Sequence, residues 1–210
     1  MAEALQCLTK RESVALYFCR QQDESGSGTD AVTRLVQTLP SVKACRLYSL
    51  TGEAWNVCGV ADALTKNETL TTLELYMFRV SRSLKDLFAA LEENTNLKEM
   101  RIAFRTVDAI GGDALGSAIS KKSCLLYLGL SGQIADYCMA CLAEALSQNV
   151  TLEKLHFSGS SSGFNGILDL CDTLRTNKIL KEVVLPHFPA GDSERYEIIR
   201  LHLFPVDYVF

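Results

Sequence analysis

Apolar residues recur along this chain in a fixed arrangement: one apolar position, two others, a second apolar position, one other, and a third. The sharpest copy is Leu125, Leu128 and Leu130 in the phrase LLYLGL, followed by Leu142, Ala143 and Leu146 at helical spacing on one face. The first group predicts a short strand and the second an amphipathic helix. The arrangement occurs seven times, opening at Val14, Val42, Leu70, Leu97, Leu125, Leu152 and Leu180, with intervals of 28, 28, 27, 28, 27 and 28 residues. The triplets are Val14/Tyr17/Cys19, Val42/Cys45/Leu47, Leu70/Leu73/Leu75, Leu97/Met100/Ile102, Leu125/Leu128/Leu130, Leu152/Leu155/Phe157 and Leu180/Val183/Leu185. A helical ending of matching phase precedes each after the first: Leu35, Val36 and Leu39; Val60, Ala61 and Leu64; Leu87, Phe88 and Leu91; Leu115 and Ile119; Leu142 and Leu146; Leu170, Cys171 and Leu174. Strand and helix alternate throughout. Neither can bury its apolar side alone, so the units must stack, each covered by its neighbours.

This repeat resembles the ribonuclease-inhibitor type of leucine-rich repeat, found also in NOD-like receptors and in the Ran GTPase-activating protein. The resemblance runs through LTTLEL at 70–75, LAEALSQN at 142–149, GGDALGSAI at 111–119 and LTKNET at 64–69. It implies an α/β solenoid, a right-handed αβ horseshoe with a parallel sheet on the concave face and helices on the convex face. The family usually places Asn or Cys three residues after the last strand leucine; here those positions are Phe78, Arg105, Gln133, Ser160 and Phe188. No asparagine ladder is expected, and the convex turns are expected to be less regular than in a typical member.

The phase divides the chain into residues 1–13, a partial repeat or N-terminal cap; 14–185, the repeats; and 186–210, a degenerate last repeat and C-terminal cap. Leu8–Ser13 repeats the phase of Leu64–Thr69, so the chain starts in mid-repeat, either capped by a short helix or as part of a longer protein. The polar stretches ESGSGTD at 24–30 and SGSSSGFNG at 158–166 fall where every repeat turns, and mark no domain boundary. Neither carries the Gly-Lys-Ser/Thr of a phosphate-binding loop.

With 21 basic against 25 acidic residues the chain lacks the positive field that a nucleic acid would need. No apolar run reaches the roughly 18 residues of a membrane span, and MAEALQCLTKRES has neither the apolar core nor the cleavage pattern of a signal peptide. A cytoplasmic location is expected, with no membrane partner. The eight cysteines then read as reduced, mostly structural thiols: Cys19 and Cys45 inward on strands, Cys171 on a buried helical stripe, Cys58 near one. Cys138 and Cys141 form a CxxC at a helix start, which suits redox or metal chemistry, yet no second half-site exists for a metal. His156, His187 and His202 lack ligand spacing, and neither a nucleophile elbow nor a catalytic carboxylate pair is present. No catalytic, cofactor or metal site is expected.

What remains is surface. Residues between the inward positions alternate to the concave face, giving a central column Phe18, Arg46, Glu74, Arg101, Gly129, His156 and Val184. On one side run Arg20, Tyr48, Tyr76, Ala103, Ser131, Ser158 and Pro186; on the other Leu16, Ala44, Thr72, Glu99, Tyr127, Lys154 and Glu182. Tyr48 and Tyr76 should stack beside an Arg46–Glu74–Arg101 ladder that Tyr127 and His156 extend. Mixed tyrosine and arginine is the composition of an interface hot spot, whereas a solvated face of cross-strand ion pairs is the plainer reading. The sequence therefore predicts a non-catalytic scaffold that binds a protein on its concave face. The resemblance adds cytosolic signalling or innate-immune regulation as the setting, with a GTPase activator like that of Ran, or a fragment of a larger NOD-like receptor, as the alternatives.

Overall fold

The computed structural model describes residues 12–18, 42–49, 57–77, 84–120, 124–157 and 161–185. Strands β1 (Ser13–Phe18), β2 (Ala44–Ser49), β3 (Thr72–Tyr76), β4 (Glu99–Val107), β5 (Tyr127–Ile134), β6 (Lys154–Phe157) and β8 (Glu182–Val184) form one parallel sheet in sequence order. From β2 onward they alternate with helices α1 (Val57–Lys66), α2 (Lys85–Glu93), α3 (Ala109–Ser120), α4 (Asp136–Gln148) and α5 (Phe164–Leu174). A parallel sheet in which every neighbour in space is the neighbour in sequence is compatible with a solenoid. The first cap (1–11 of 1–13), the ESGSGTD turn, Leu35–Leu39, Cys19 and the last cap (186–210) lie outside the described residues.

Each repeat meets the next through the same backbone contact. One carbonyl, from Glu12, Lys43, Thr71, Lys98, Leu126 or Glu153, accepts two successive N–H groups of the following repeat at 2.7–3.2 Å. Beyond it the inward residues are buried as the triplets predict: Leu73 and Leu75, Met100 and Ile102, Leu128 and Leu130, Leu155 and Phe157 join the helical residues Leu64, Leu87, Leu91, Ile119, Leu146 and Leu170 in one core. The helices accordingly cover one face of the sheet, and the intervening strand residues turn to the other.

The first strand departs from the predicted spacing. Val14 pairs with Cys45 and Tyr17 with Tyr48, an offset of 31 residues where 28 was expected. An odd slip exchanges the faces of every side chain. Val14 becomes the buried middle position, and Tyr17 turns outward, 62% exposed, where its phenol meets no desolvation cost. By register Leu16 pairs with Leu47 and Phe18 with Ser49, where Ala44 and Arg46 were expected. VALYFC is apolar at every position, so alternation sets no phase there.

An asparagine ladder is present after all, at the opposite ends of the strands. Asn67, Asn94, Asn149 and Asn177 each stand three residues before an inward leucine, and each side-chain oxygen accepts two backbone N–H groups at the strand entrance, 2.7–3.0 Å away. In the last three the amide nitrogen also donates to a carbonyl near the end of the helix one repeat earlier: Leu64 in α1, Ile119 in α3 and Leu146 in α4. Helix ends leave carbonyls unsatisfied and strand entrances leave N–H groups, and a primary amide serves both. The equivalent position 122 is a lysine outside the described residues; there Cys124 Sγ lies 3.0 Å from the Leu97 carbonyl.

Where the turns after β4 and β5 are described, a second short ladder forms. After a register shift between Ala103 and Thr106, β4 continues beside β5 through Thr106↔Gln133 and Val107↔Ile134, and β7 (Ser161–Ser162) adds Gln133↔Ser161 and Ile134↔Ser162. Val107 and Ile134 are buried, and they anchor this second short ladder in the core. Gly132 sits at its bend with φ 144°, where an added Cβ would collide with the Phe104 carbonyl.

Thiol placement corrects the expectation for Cys58 and leaves Cys138 as a packed thiol. Cys138 is buried, 3.4 Å from the Asp108 carbonyl, and burial raises its pKa against the lowering effect of a helix start. Cys58 is exposed and lies 3.2 Å from Asp86, away from the core it was placed near. Cys45 and Cys171 are buried as predicted, both pushed up to about 12 chiefly by desolvation. Among the six described cysteines Cys58 should therefore react first with iodoacetamide under native conditions, and Cys45, Cys138 and Cys171 only on unfolding. Peptide mapping in which Cys138 labels as fast as Cys58 would contradict this packing.

Candidate functional site

Across the face turned away from the helices, the side chains form two joined systems. The first is aromatic. Tyr17, Tyr48 and Tyr76 occupy paired positions on β1, β2 and β3, and their rings stack at 4.7 Å and 4.5 Å between centroids, tilted by 7° and 4°. Those separations match the spacing of strands within a sheet, so register alone brings the rings to contact distance. The sequence placed Tyr48 and Tyr76 here; it placed Tyr17 in the core.

The second system is polar and begins one column away. Glu74 on β3 is 5% exposed, unusual for a carboxylate on the outer face of a sheet. It is held from both sides: Arg46 Nε is 3.0 Å from Oε2, and Arg101 Nη1 is 3.0 Å from Oε1. The Tyr76 hydroxyl donates to Oε2 at 3.3 Å and ties the two systems together. Burial, and after it the nearby Glu74 charge, raises the Tyr76 pKa, so its proton stays in that bond. Arg46 shifts upward too, chiefly through its hydrogen bond to Glu74.

From Arg101 the chain of contacts continues. Its guanidinium lies 4.2 Å from the centre of the Tyr127 ring, a cation–π contact, and 3.5 Å from Glu99. The Tyr127 hydroxyl is 3.1 Å from His156 Nδ1; His156 Nε2 is 2.8 Å from Glu182, which also binds Lys154 at 2.7 Å. The Lys154 contact, ahead of that of His156, holds the Glu182 carboxyl below its usual range. Tyr127 belongs to an outer column, yet it reaches the central one because Gly129 leaves room. A Cβ at Gly129 would stand 3.1 Å from the ring and 3.2 Å from Arg101 Cγ. A glycine inside the apolar phrase LGL is the sequence signal of such a close approach.

All seven residues singled out from sequence, Arg46, Tyr48, Glu74, Tyr76, Arg101, Tyr127 and His156, thus lie on one face in one contact network. Tyr17, Glu99, Lys154 and Glu182 join it and were not singled out. The columns contained the last three, but nothing in composition ranks them above their neighbours. Among the described residues no group of three or more His, Cys, Asp or Glu is arranged to hold a metal ion, and no helix is long and apolar enough to cross a membrane. Cys141 and Tyr137 meet at Asp113 on the helical side, where Tyr137 donates at 2.6 Å and Cys141 lies at 3.5 Å. Burial, as its largest cause, raises the Cys141 pKa, the opposite of what a nucleophilic thiol needs. No protein-family model matches the chain.

Proposed function

We propose that this chain is a leucine-rich repeat solenoid of the ribonuclease-inhibitor type, a horseshoe whose concave face binds a protein partner without catalysis. The observation that carries the reading is the uninterrupted system from Tyr17 to Glu182 on the face turned away from the helices. Tyrosine and arginine are the residues that dominate interface energetics, because both offer large contact area together with directional donors. Here they are held in place before any partner arrives. Ordering long side chains is a main cost of association, and prior stacking and ion pairing reduce it. The repeated backbone contact and the asparagine rungs support the repeat assignment, and the cytosolic signalling setting rests on the resemblance alone.

The test is a comparison of variants against partners captured from cytosol. Replacing Tyr48 and Tyr76 together by alanine should weaken the dissociation constant of a genuine partner by about thirtyfold or more. Lys85→Ala, on the exposed side of α2, should leave it unchanged. Capture that is equal for wild type and both variants would remove the concave face from consideration.

A further inference from the structure

We infer that the partner is gripped by a carboxylate: an acidic peptide segment whose Asp or Glu side chain enters the terminal fork of Arg46, beside the tyrosine stack. This rests on the binding role proposed for that face.

Glu74 is sealed, its side chain 7% exposed, while the arginines that seal it are 46% and 36% exposed for Arg46 and Arg101. The carboxylate is hidden and the guanidiniums show. With Glu99 the cluster is balanced, two guanidiniums against two carboxylates, so what a ligand meets is the exposed head group of Arg46 and not a net positive charge. The two arginines differ, however. Arg101 is flanked by Glu99 and covers Tyr127, so its capacity is largely used. Arg46 touches Glu74 through Nε, and among the described residues its terminal nitrogens have no further partner. A guanidinium bound by Nε leaves its two Nη groups as a planar fork, the geometry that matches a carboxylate with two parallel hydrogen bonds.

Space around the fork agrees. Register sets Ala15 beside Arg46 in the same column and Ala44 in the next, both small, with no acid in either position. On the remaining side Tyr17 and Tyr48 carry hydroxyls with no hydrogen-bond partner among the described residues. They supply donors that a carboxylate or a peptide carbonyl accepts. The chain as a whole carries net charge −4, so no long-range field draws an acid in. Recognition must come from the short-range fork, and charge alone at position 46 is not enough.

The experiment selects short random peptides displayed on phage against the wild-type protein, then measures chosen peptides by fluorescence polarisation against wild type, Arg46→Gln, Arg46→Lys, Tyr48→Ala/Tyr76→Ala and Lys85→Ala. The selected peptides should share an Asp or Glu. Changing it to Asn or Gln, or Arg46 to Gln, should each cost about tenfold or more, and the two changes together little more than either alone. Arg46→Lys keeps the pairing with Glu74 but loses the fork, so it should bind measurably worse than wild type. Circular dichroism confirms the fold of each variant. Peptides that need Tyr48 and Tyr76 but lack an acid, or that bind Arg46→Gln equally well, would overturn the carboxylate while leaving the binding face in place. Displacement by inorganic phosphate and not by acetate at the same concentration would overturn it in favour of a phosphate ligand. Peptides indifferent to every variant, or no selected peptide, would overturn both.

Discussion

Asn94→Ala should cost about 3 kcal/mol or more, although the residue lies far from the candidate face. Its amide makes four hydrogen bonds: it accepts from the N–H groups of Asn96 and Leu97 at 2.9 Å and 2.8 Å, and donates to the carbonyls of Leu64 and Asn67 at 2.7 Å and 3.0 Å. Asn94 is 5% exposed, and the Leu97 N–H and Leu64 carbonyl belong to residues with 0% exposure, so water cannot replace it. Each buried polar group left alone costs about 1–3 kcal/mol. For a chain of this length the loss corresponds to a fall of roughly 6–12 °C in melting temperature. Asn94→Asp isolates the donor half. Its shape is conserved and it still accepts from both N–H groups, but its second oxygen faces two carbonyls, which disfavours the charged form and raises the carboxyl pKa. A raised carboxyl gives stability that is complete below the unfolded value of about 4 and is lost as pH rises through the folded value. The deficit of Asn94→Asp relative to wild type should therefore shrink on acidification, whereas that of Asn94→Ala should not. Calorimetry at neutral and acid pH measures both, and a harmless Asn94→Ala would mean that the ladder holds nothing.

That ladder shows where a sequence reading succeeds and where it looks in the wrong place. Asn67 and Asn149 stand inside the phrases LTKNET and LAEALSQN, in phase with Asn94 and Asn177, so the period was visible. Its role was not, because a side chain that joins a helix end to a strand entrance two units apart has no local signature. The turns hold a second feature with no local signature: past Arg105 and Gln133 the strands run on to Val107 and Ile134, and backbone pairing continues there.

Strand positions were legible wherever alternation was strict. LTTLEL, with polar and apolar residues in turn, fixes both faces of β3, and Glu74 and Tyr76 fall where expected. β1 has no such contrast, and its register is decided by what the neighbouring strand offers: a place in the core for a small Val14, and a ring for Tyr17 to stack on. The cysteines divide along the same line. Cys45 and Cys171 follow their apolar stripes, while Cys58 and Cys138 sit on helices whose rotation a single residue of phase changes.

Leu128→Asp should abolish folding of the central repeats. The side chain is fully buried near the start of β5, between Met100 on β4 and Leu155 on β6, and no cation lies at the paired position on either strand. An unpaired carboxylate there forfeits leucine burial and adds desolvation, together more than about 4–5 kcal/mol. The same substitution at Val183, 1% exposed on β8, meets only β6 among the described strands. Where each repeat contacts only its neighbours, damage spreads through interfaces and not through a shared core. Hydrogen exchange resolved by peptide should then show Val183→Asp losing protection in β8 and α5 while β2 to β4 stay protected. In Leu128→Asp the loss should cover β4 to β6 with α3 and α4. If Val183→Asp instead exposed every strand to the same degree, the sheet would behave as one cooperative core and the stacking of semi-independent units would be the wrong description.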